Sequence, residues 1–269
     1  MFQKITSSSN KTIKLVKSLH RKRNRWKEEK YFIEGVRAVE ETLDKGKNID
    51  FIIFSDGLCE VNGGEDLLTR MEKKGHTIYH TTDKILGEIS DTQKPQGIIC
   101  VLNMENRSLD SVLKKKDNFL ILLDNLQDPG NLGTIIRTAD AMGANGVVVT
   151  KGCVDIYNPK VIRSTMGSVF HVPIIMADSI DYVINVLRNN NITIIAAGLE
   201  TTRFCYDEDF SKDFALIIGN EASGITDNVM KMCDSVVKIP MSGDAESLNA
   251  AIASAIIMYE ANRQRTIKK

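Results

Sequence analysis

Three stretches of the chain hold polar residues where packing alone would not place them. The first runs from Asn131 to Arg137. The second is Gly219-Asn220-Glu221-Ala222-Ser223-Gly224. The third is Ile239-Pro240-Met241-Ser242-Gly243, followed by Glu246-Ser247-Leu248-Asn249. Amides, a carboxylate and a guanidinium can hold a polar ligand, and an acid flanked by glycines lets backbone approach it closely. Each stretch also has a plain structural explanation. Turns after strands are polar in any α/β protein, Ser247 and Asn249 are good helix caps, and Arg137 could pair with Asp140. Residue chemistry alone therefore points to a ligand site and leaves the ligand open.

The elements that must position these residues are readable. Residues 119–123 are an unbroken apolar run, the pattern of a strand buried on both faces. A polar loop with a Pro-Gly turn follows, and Asn131 is placed to cap the next helix. Leu132, Ile135, Ile136, Ala139 and Met142 recur at helical spacing, Gly143 stands at the C-cap, and 147–149 form a second buried strand. Arg137 lies a turn and a half beyond Asn131, away from the apolar face. Further helices are expected at 159–167, 180–189 and 247–262, and strands near 172–175, 192–197, 214–218 and 236–239. Such alternation predicts a parallel α/β sheet over 119–269. All three polar stretches follow strands, so they can converge at one sheet edge, where such sheets hold ligands.

Ahead of this domain, 31–103 reads as a small α/β domain with strands at 51–54, 77–80 and 98–102 and helices at 36–43, 65–74 and 83–89. Residues 104–118, with a Lys114-Lys115-Lys116 run, are the expected linker. His76 and His80 have the spacing of a metal-binding helix pair, but strand formers separate them and no third ligand stands nearby, so no metal is expected. Residues 1–30 carry ten Lys/Arg against two acids, a net of +8 in a chain whose charges cancel overall. A basic helical arm on a mildly acidic body suits a polyanion. Arg21, Lys22, Arg23 and Arg25 are its dense end and the candidate RNA contacts, with Trp26 placed to pack or to stack on a base.

Five scattered cysteines without metal spacing, no signal-type segment and no run of membrane-spanning length predict a cytoplasmic protein without a membrane partner. No G-x-G-x-x-G follows a strand and no G-x-x-x-x-G-K-[ST] occurs, which argues against ordinary dinucleotide enzymes and P-loop NTPases. His171 heads a strand, where packing is its usual role.

D-N-L-Q-D-P-G-N-L-G-T-I-I-R-T-A-D-A, I-I-G-N-E-A-S-G-I and I-P-M-S-G-D-A-E-S-L-N-A-A-I-A-S-A-I-I-M-Y-E occur in that order. They resemble the three motifs of SpoU/TrmH-type RNA ribose 2′-O-methyltransferases, in the SPOUT superfamily. The resemblance covers the second domain; the first is similar to the substrate-binding domain that many members carry in front. It implies an α/β sheet with a trefoil knot, S-adenosylmethionine bent in the knotted loops, and a homodimer with its site near the interface. Carried onto this chain, Gly219, Ile239 and Leu248 become cofactor contacts, largely through backbone, with Gly198, Asn220 and Met241 as neighbours. Ala250, Ala251, Ala253, Ser254 and Ala255 permit the close helix approach of a dimer. Thr134 stands where small residues are usual in the family, a mild departure.

The implied reaction moves a methyl group from a sulfonium to a ribose 2′-hydroxyl. The electrophile arrives activated, which leaves in-line alignment and removal of the hydroxyl proton. Arg137 matches the family's essential arginine. A guanidinium stays protonated and is a poor base, so its expected role is to hold an RNA phosphate and stabilise developing alkoxide, with hydroxyl activation as the other reading. Asn131 would position substrate or Arg137, and Glu221 would hold its loop or orient Arg137. Ser247 and Asn249 match the third-motif pair that closes the site. The expected substrate is large-subunit ribosomal RNA rather than DNA. Transfer RNA, a non-catalytic assembly role and a resistance methylase are the alternatives.

Overall fold

The structure is a computed structural model and describes residues 2–267. The chain forms two units, Met1–Glu105 with Tyr157–Phe170, and Asn106–Ile156 with His171–Lys269.

In the first unit the strands are β1 (Gln3–Lys4), β2 (Lys30–Glu34), β3 (Ile49–Ser55), β4 (Ile78–Thr81) and β5 (Ile98–Asn103). Their order is β1-β4-β3-β5-β2, with β5 antiparallel to both neighbours. Helices α1 (Lys11–Leu19), α2 (Lys22–Glu28), α3 (Val36–Asp44), α4 (Gly64–Lys73) and α5 (Asp83–Ile89) cover the sheet. The apolar stripe of α1, Ile13, Val16 and Leu19, is buried in one cluster with Phe32, Phe51, Ile53 and Ile85. The basic segment is thus built into this core and is not a detached arm. It also breaks into two helices at His20-Arg21, where one was expected. His80 Nε2 lies 2.8 Å from Asp56 Oδ1.

One expected RNA contact is withdrawn. Arg25 is 2 % exposed, and its Nη1 donates to the carbonyls of Leu19 at 2.8 Å and His20 at 2.9 Å. It satisfies the orphan carbonyls at the end of α1, so its charge is spent inside the unit. Arg21, Lys22 and Arg23 remain exposed. Trp26 is half exposed, edge-on to Tyr157 at 6.1 Å.

The second unit holds β6 (Phe119–Leu123), β7 (Gly146–Thr150), β8 (Ile174–Ala177), β9 (Thr193–Ala197), β10 (Phe214–Ile218) and β11 (Ser235–Val237). All pair in parallel, in the order β11-β9-β10-β6-β7-β8. Its helices are α6 (Pro129–Ala141), α8 (Ile180–Asn189), α9 (Asp227–Met230) and α10 (Ala250–Ile267), while α7 (Pro159–Thr165) belongs to the first unit. Leu120 and Leu122 of β6 pack with Val183, Ile184 and Leu187 of α8 on one sheet face. On the other, α10 packs against α6, and Arg265 lies over the rings of Phe119 and Phe214. Ala251 and Ser254 are buried on α10, the helix that packs on α6. At least these two small residues therefore serve packing within the unit rather than a dimer.

Boundaries differ from expectation in two places. Leu109 and Val112, expected in a linker, are buried in the second unit's core. Residues 157–170, expected in the methyl-transfer domain, pack on the first unit, where the Tyr157 ring meets Tyr31 at 4.4 Å. An amphipathic helix announces that it needs a partner but not which one.

Replacing Arg25 with Ala should destabilise the protein by about 1–3 kcal/mol, since the buried carbonyl of Leu19 and the part-buried one of His20 lose their donor. Arg21→Ala should stay within about 0.5 kcal/mol. Urea midpoints check both, and equal midpoints would remove Arg25 from the core.

Candidate functional site

The strand order reverses between β6 and β10. The chain leaves β6 outward to β7 and β8, then crosses back to β9 before β10 is inserted beside β6. Ligands bind open α/β sheets outside the carboxyl ends of the strands at such a switch point. The loops after β6 and β10 flank it, and the stretch after β11 returns to it, since Asn249 reaches the first turn of α6.

Asp128, not Asn131, is the N-cap of α6. Its side chain accepts from Asn131 N at 2.8 Å, and Pro129 occupies the first helical position. The Asp-Pro pair carried that signal in the sequence. Asn131 is left with a free side-chain amide in the first turn. Its Nδ2 donates to Glu221 Oε1 at 3.1 Å, and its Oδ1 accepts from Asn249 Nδ2 at 2.9 Å. One amide thus joins all three polar stretches.

Glu221 is fastened from the same side. Its carboxylate accepts from Gln127 N at 3.0 Å and Asp128 N at 2.9 Å. Desolvation would raise its carboxyl pKa, but the bonds from Gln127, Asn131 and Asp128 outweigh it and hold the group below its ordinary value. A carboxylate so held is a weak proton acceptor and a strong anchor. Asn220 donates to Asn125 O at 2.8 Å and accepts from Ala222 N and Ser223 N, so its side chain serves the loop. Gly219 is dictated by crowding, because a Cβ there would lie 2.5 Å from the Gly224 carbonyl.

Asn249 caps α10, accepting from Ala251 N at 2.9 Å and Ile252 N at 3.2 Å while its amide reaches Asn131. Ser247 is exposed beside it. Residues 239–248 make no hydrogen bond among the described residues. Ile239 is part-buried, and Met241 and Leu248 are exposed on this segment. Gly198, after β9, donates to Val237 O at 3.0 Å, and a Cβ there would crowd Met230 and Val236.

Arg137 is exposed and makes no hydrogen bond or ion pair among the described residues. Asp140, its possible partner, is held by His171 Nδ1 at 2.9 Å. Six residues beyond Asn131, Arg137 lies about 9 Å farther along α6 and on a different side of it. Nothing within the unit joins it to the Asn131–Glu221–Asn249 cluster.

Residues 118–259 match the SpoU rRNA Methylase family, and residues 10–100 match the MRM3-like substrate binding domain. The chain belongs to the SpoU rRNA methylase family. It is an S-adenosylmethionine-dependent RNA 2′-O-methyltransferase, as its motifs implied. Over 257 residues it is 35 % identical to the 23S rRNA (guanosine(2553)-2′-O)-methyltransferase RlmP of Bacillus subtilis, covering 96 % of this chain and 98 % of that one. It is 33 % identical to the 23S rRNA (uridine(2479)-2′-O)-methyltransferase of Streptomyces viridochromogenes, over 87 % of this chain and 83 % of the relative. The AdoMet-bound rRNA methyltransferase from Sinorhizobium meliloti superposes with a TM-score of 0.88 at 29 % identity, covering 97 % and 98 % of the two chains. The parallel sheet of the second unit, with 238–249 returning from the edge strand to α6, fits the SPOUT fold.

The residues of this SpoU chain fit the cofactor. A segment of ten residues with uncommitted backbone donors and acceptors, carrying apolar side chains, can hold an adenosine and an amino-acid end largely through main chain.

Because the Glu221 carboxyl is lowered in the folded state, its contribution is present above the ordinary carboxylate range and lost as pH falls through the folded value. S-adenosylmethionine affinity should therefore hold from neutral pH down through the ordinary carboxylate range and weaken only below it, and Glu221→Gln should flatten that acid limb. Calorimetric titration across pH checks it; an acid limb unchanged in Glu221→Gln would mean another group sets it.

Proposed function

We propose that this protein methylates a ribose 2′-hydroxyl in large-subunit ribosomal RNA. The observation that carries the reading is the amide of Asn131, which ties the three motif stretches together at the switch point of the sheet. Two relatives that share the two-unit architecture over most of their length are named for 23S rRNA, which favours ribosomal over transfer RNA. The reading places the protein in the cytoplasm with its RNA.

S-adenosylmethionine, when bound, supplies a methyl group already activated on a sulfonium. Gly198, Gly219, Asn220, Ile239, Met241 and Leu248 line its place, mainly with backbone. Asn131 and Asn249 hold the substrate side of the loops in register, Glu221 anchors them, and Ser247 closes the site. Arg137, left unpaired because His171 takes Asp140, holds an RNA phosphate and stabilises charge developing on the ribose oxygen. Arg21, Lys22 and Arg23 track phosphate from the first unit.

A second copy of the chain completes this arrangement. Ile252, Ile256 and Tyr259 of α10 are exposed at helical spacing, Tyr259 by 60 %, and a copy seated there would lie beside the helix that carries Arg137. Changing Ile252 and Ile256 together to Asp should convert a dimer to a monomer in light scattering with chromatography and abolish methylation. A wild-type monomer would remove this part of the reading.

Mapping ribose methylation in ribosomal RNA from cells with and without the gene tests the main reading; one large-subunit position should lose its mark. Arg137→Ala should lower turnover by about 100-fold or more with S-adenosylmethionine affinity within about twofold of wild type. Retained turnover would contradict the role given to Arg137.

A further inference from the structure

Trp26 is the chain's one tryptophan, and nothing in the methyl-transfer site uses it. An indole is among the largest apolar bodies a fold has to bury, yet 40 % of this residue is exposed. Its backing is aromatic. The ring meets Tyr157 edge-on at 6.1 Å, and Tyr157 lies 4.4 Å from the ring of Tyr31; both tyrosines are buried. Helix α2 is not free to roll the indole inward, because the two residues before it are tied to the end of α1. Asn24 Nδ2 donates to Ser18 O at 3.0 Å, and Arg25 Nη1 donates to the carbonyls of Leu19 and His20. The indole therefore stands on a fixed backbone. Arg23 and Lys22 precede it by three and four residues, on the same side of the helix and about 4.5 and 6 Å back along its axis. Both are exposed and make no ion pair among the described residues. Past the ring, Glu28 is faced by Lys27 at 3.7 Å.

A flat apolar ring beside uncommitted cations matches single-stranded nucleic acid, whose bases stack and whose phosphates need counter-charge. We infer that Trp26 stacks on an unpaired base of the substrate RNA while Lys22 and Arg23 hold the phosphates that flank it. This rests on the reading of the protein as an RNA methyltransferase whose first unit binds substrate. A base inside a duplex is already stacked on both faces, so a duplex offers Trp26 no ring to meet. A protein partner is the other customary use of an exposed tryptophan. Such a partner would have to answer Arg21, Lys22 and Arg23 with acids, whereas RNA brings its own charge at every nucleotide. Stacking is tolerant of base identity, because every base has a π-face. The contact thus selects for an unpaired segment and not for a sequence. Packing and stacking are then both roles of Trp26, met by different parts of one ring.

The test uses the full chain saturated with S-adenosylmethionine, so that adenine cannot enter the cofactor site, and a single-stranded oligoadenylate decamer as probe. With one tryptophan in the chain, the intrinsic emission reads this ring alone. The decamer should quench it, whereas a polyphosphate of equal length, which carries the charge without bases, should leave it in place at saturation. Trp26→Leu should weaken decamer binding by at least about fivefold, and Trp26→Phe, which keeps an aromatic face, should stay within about twofold of wild type. Salt dependence separates the ring from the cations. Trp26→Leu should leave the slope of log Kd against log salt in place, while Arg23→Ala should reduce it by about 0.7. Absence of quenching, equal quenching by polyphosphate, or Trp26→Phe binding as weakly as Trp26→Leu would overturn the inference. The quenching arms need no variant, so a folding defect in one cannot hide the answer. A ribosomal RNA mark that still depended on the gene would leave the proposed function standing after such a result; a mark that did not would sink the function itself.

Discussion

The carboxyl edge of the second sheet depends on one side-chain amide. Asn131 donates to Glu221 and accepts from Asn249, so three segments far apart in sequence share a single small group. Only a residue with both a donor and an acceptor on one short side chain can do this; Asp would repel Glu221 and Ser could not span both. Its position follows from the cap before it. Because Asp128 takes the capping duty, Asn131 enters the first turn with its side chain uncommitted to its own backbone. The parallel ladder between β6 and β10, paired from Phe214 with Phe119 to Ile218 with Leu123, brings the two loops level. Packing of apolar strands thus sets the register that a few hydrogen bonds then exploit.

Much of this was legible beforehand because the second unit is regular. Buried parallel strands are continuous apolar runs, and 119–123 and 214–218 fall where the pattern put them, as does the amphipathic helix 180–189. The polar clusters stood out against that regularity. The cap of α6 was misplaced by three residues, since Asn131 and Asp128 are both good caps and only the proline after Asp128 separates them. The bond from Asn131 to Asn249 spans 118 residues, and no local pattern encodes it.

The first unit was harder to read for a physical reason. Charge density in 1–30 suggested a solvated arm, but the three apolar residues of α1 outweigh the lysines between them once a sheet is there to receive them. Arg25 shows the same ambiguity in one side chain. In sequence it is one more cation in a basic run, whereas in the fold it is the donor that closes the end of α1. Strand β2 escaped notice because its Tyr31, Phe32 and Ile33 sit between charged ends, and its partner β5 lies some seventy residues away.

The way the site's charges are committed also argues for what it can hold. Helix N-termini are natural anion sites, and α6 and α10 both begin here. Yet Asp128 and Asn249 occupy first-turn N–H groups of each, and Glu221 covers the N–H groups of Gln127 and Asp128. A phosphate entering this edge would meet a carboxylate and few open donors. A sulfonium carried on a neutral adenosine would meet that carboxylate at a distance and a segment, 239–248, whose main chain is uncommitted. On the proposed reading the anionic partner is held elsewhere, by cations not tied into the loops. Arg137 on the far turns of α6 and the exposed Arg21, Lys22 and Arg23 of the first unit are in that condition. Methyl transfer requires the ribose oxygen of the RNA to come into line with the breaking carbon–sulfur bond, so phosphate contacts that lie away from the cofactor loops can set that line without competing for them.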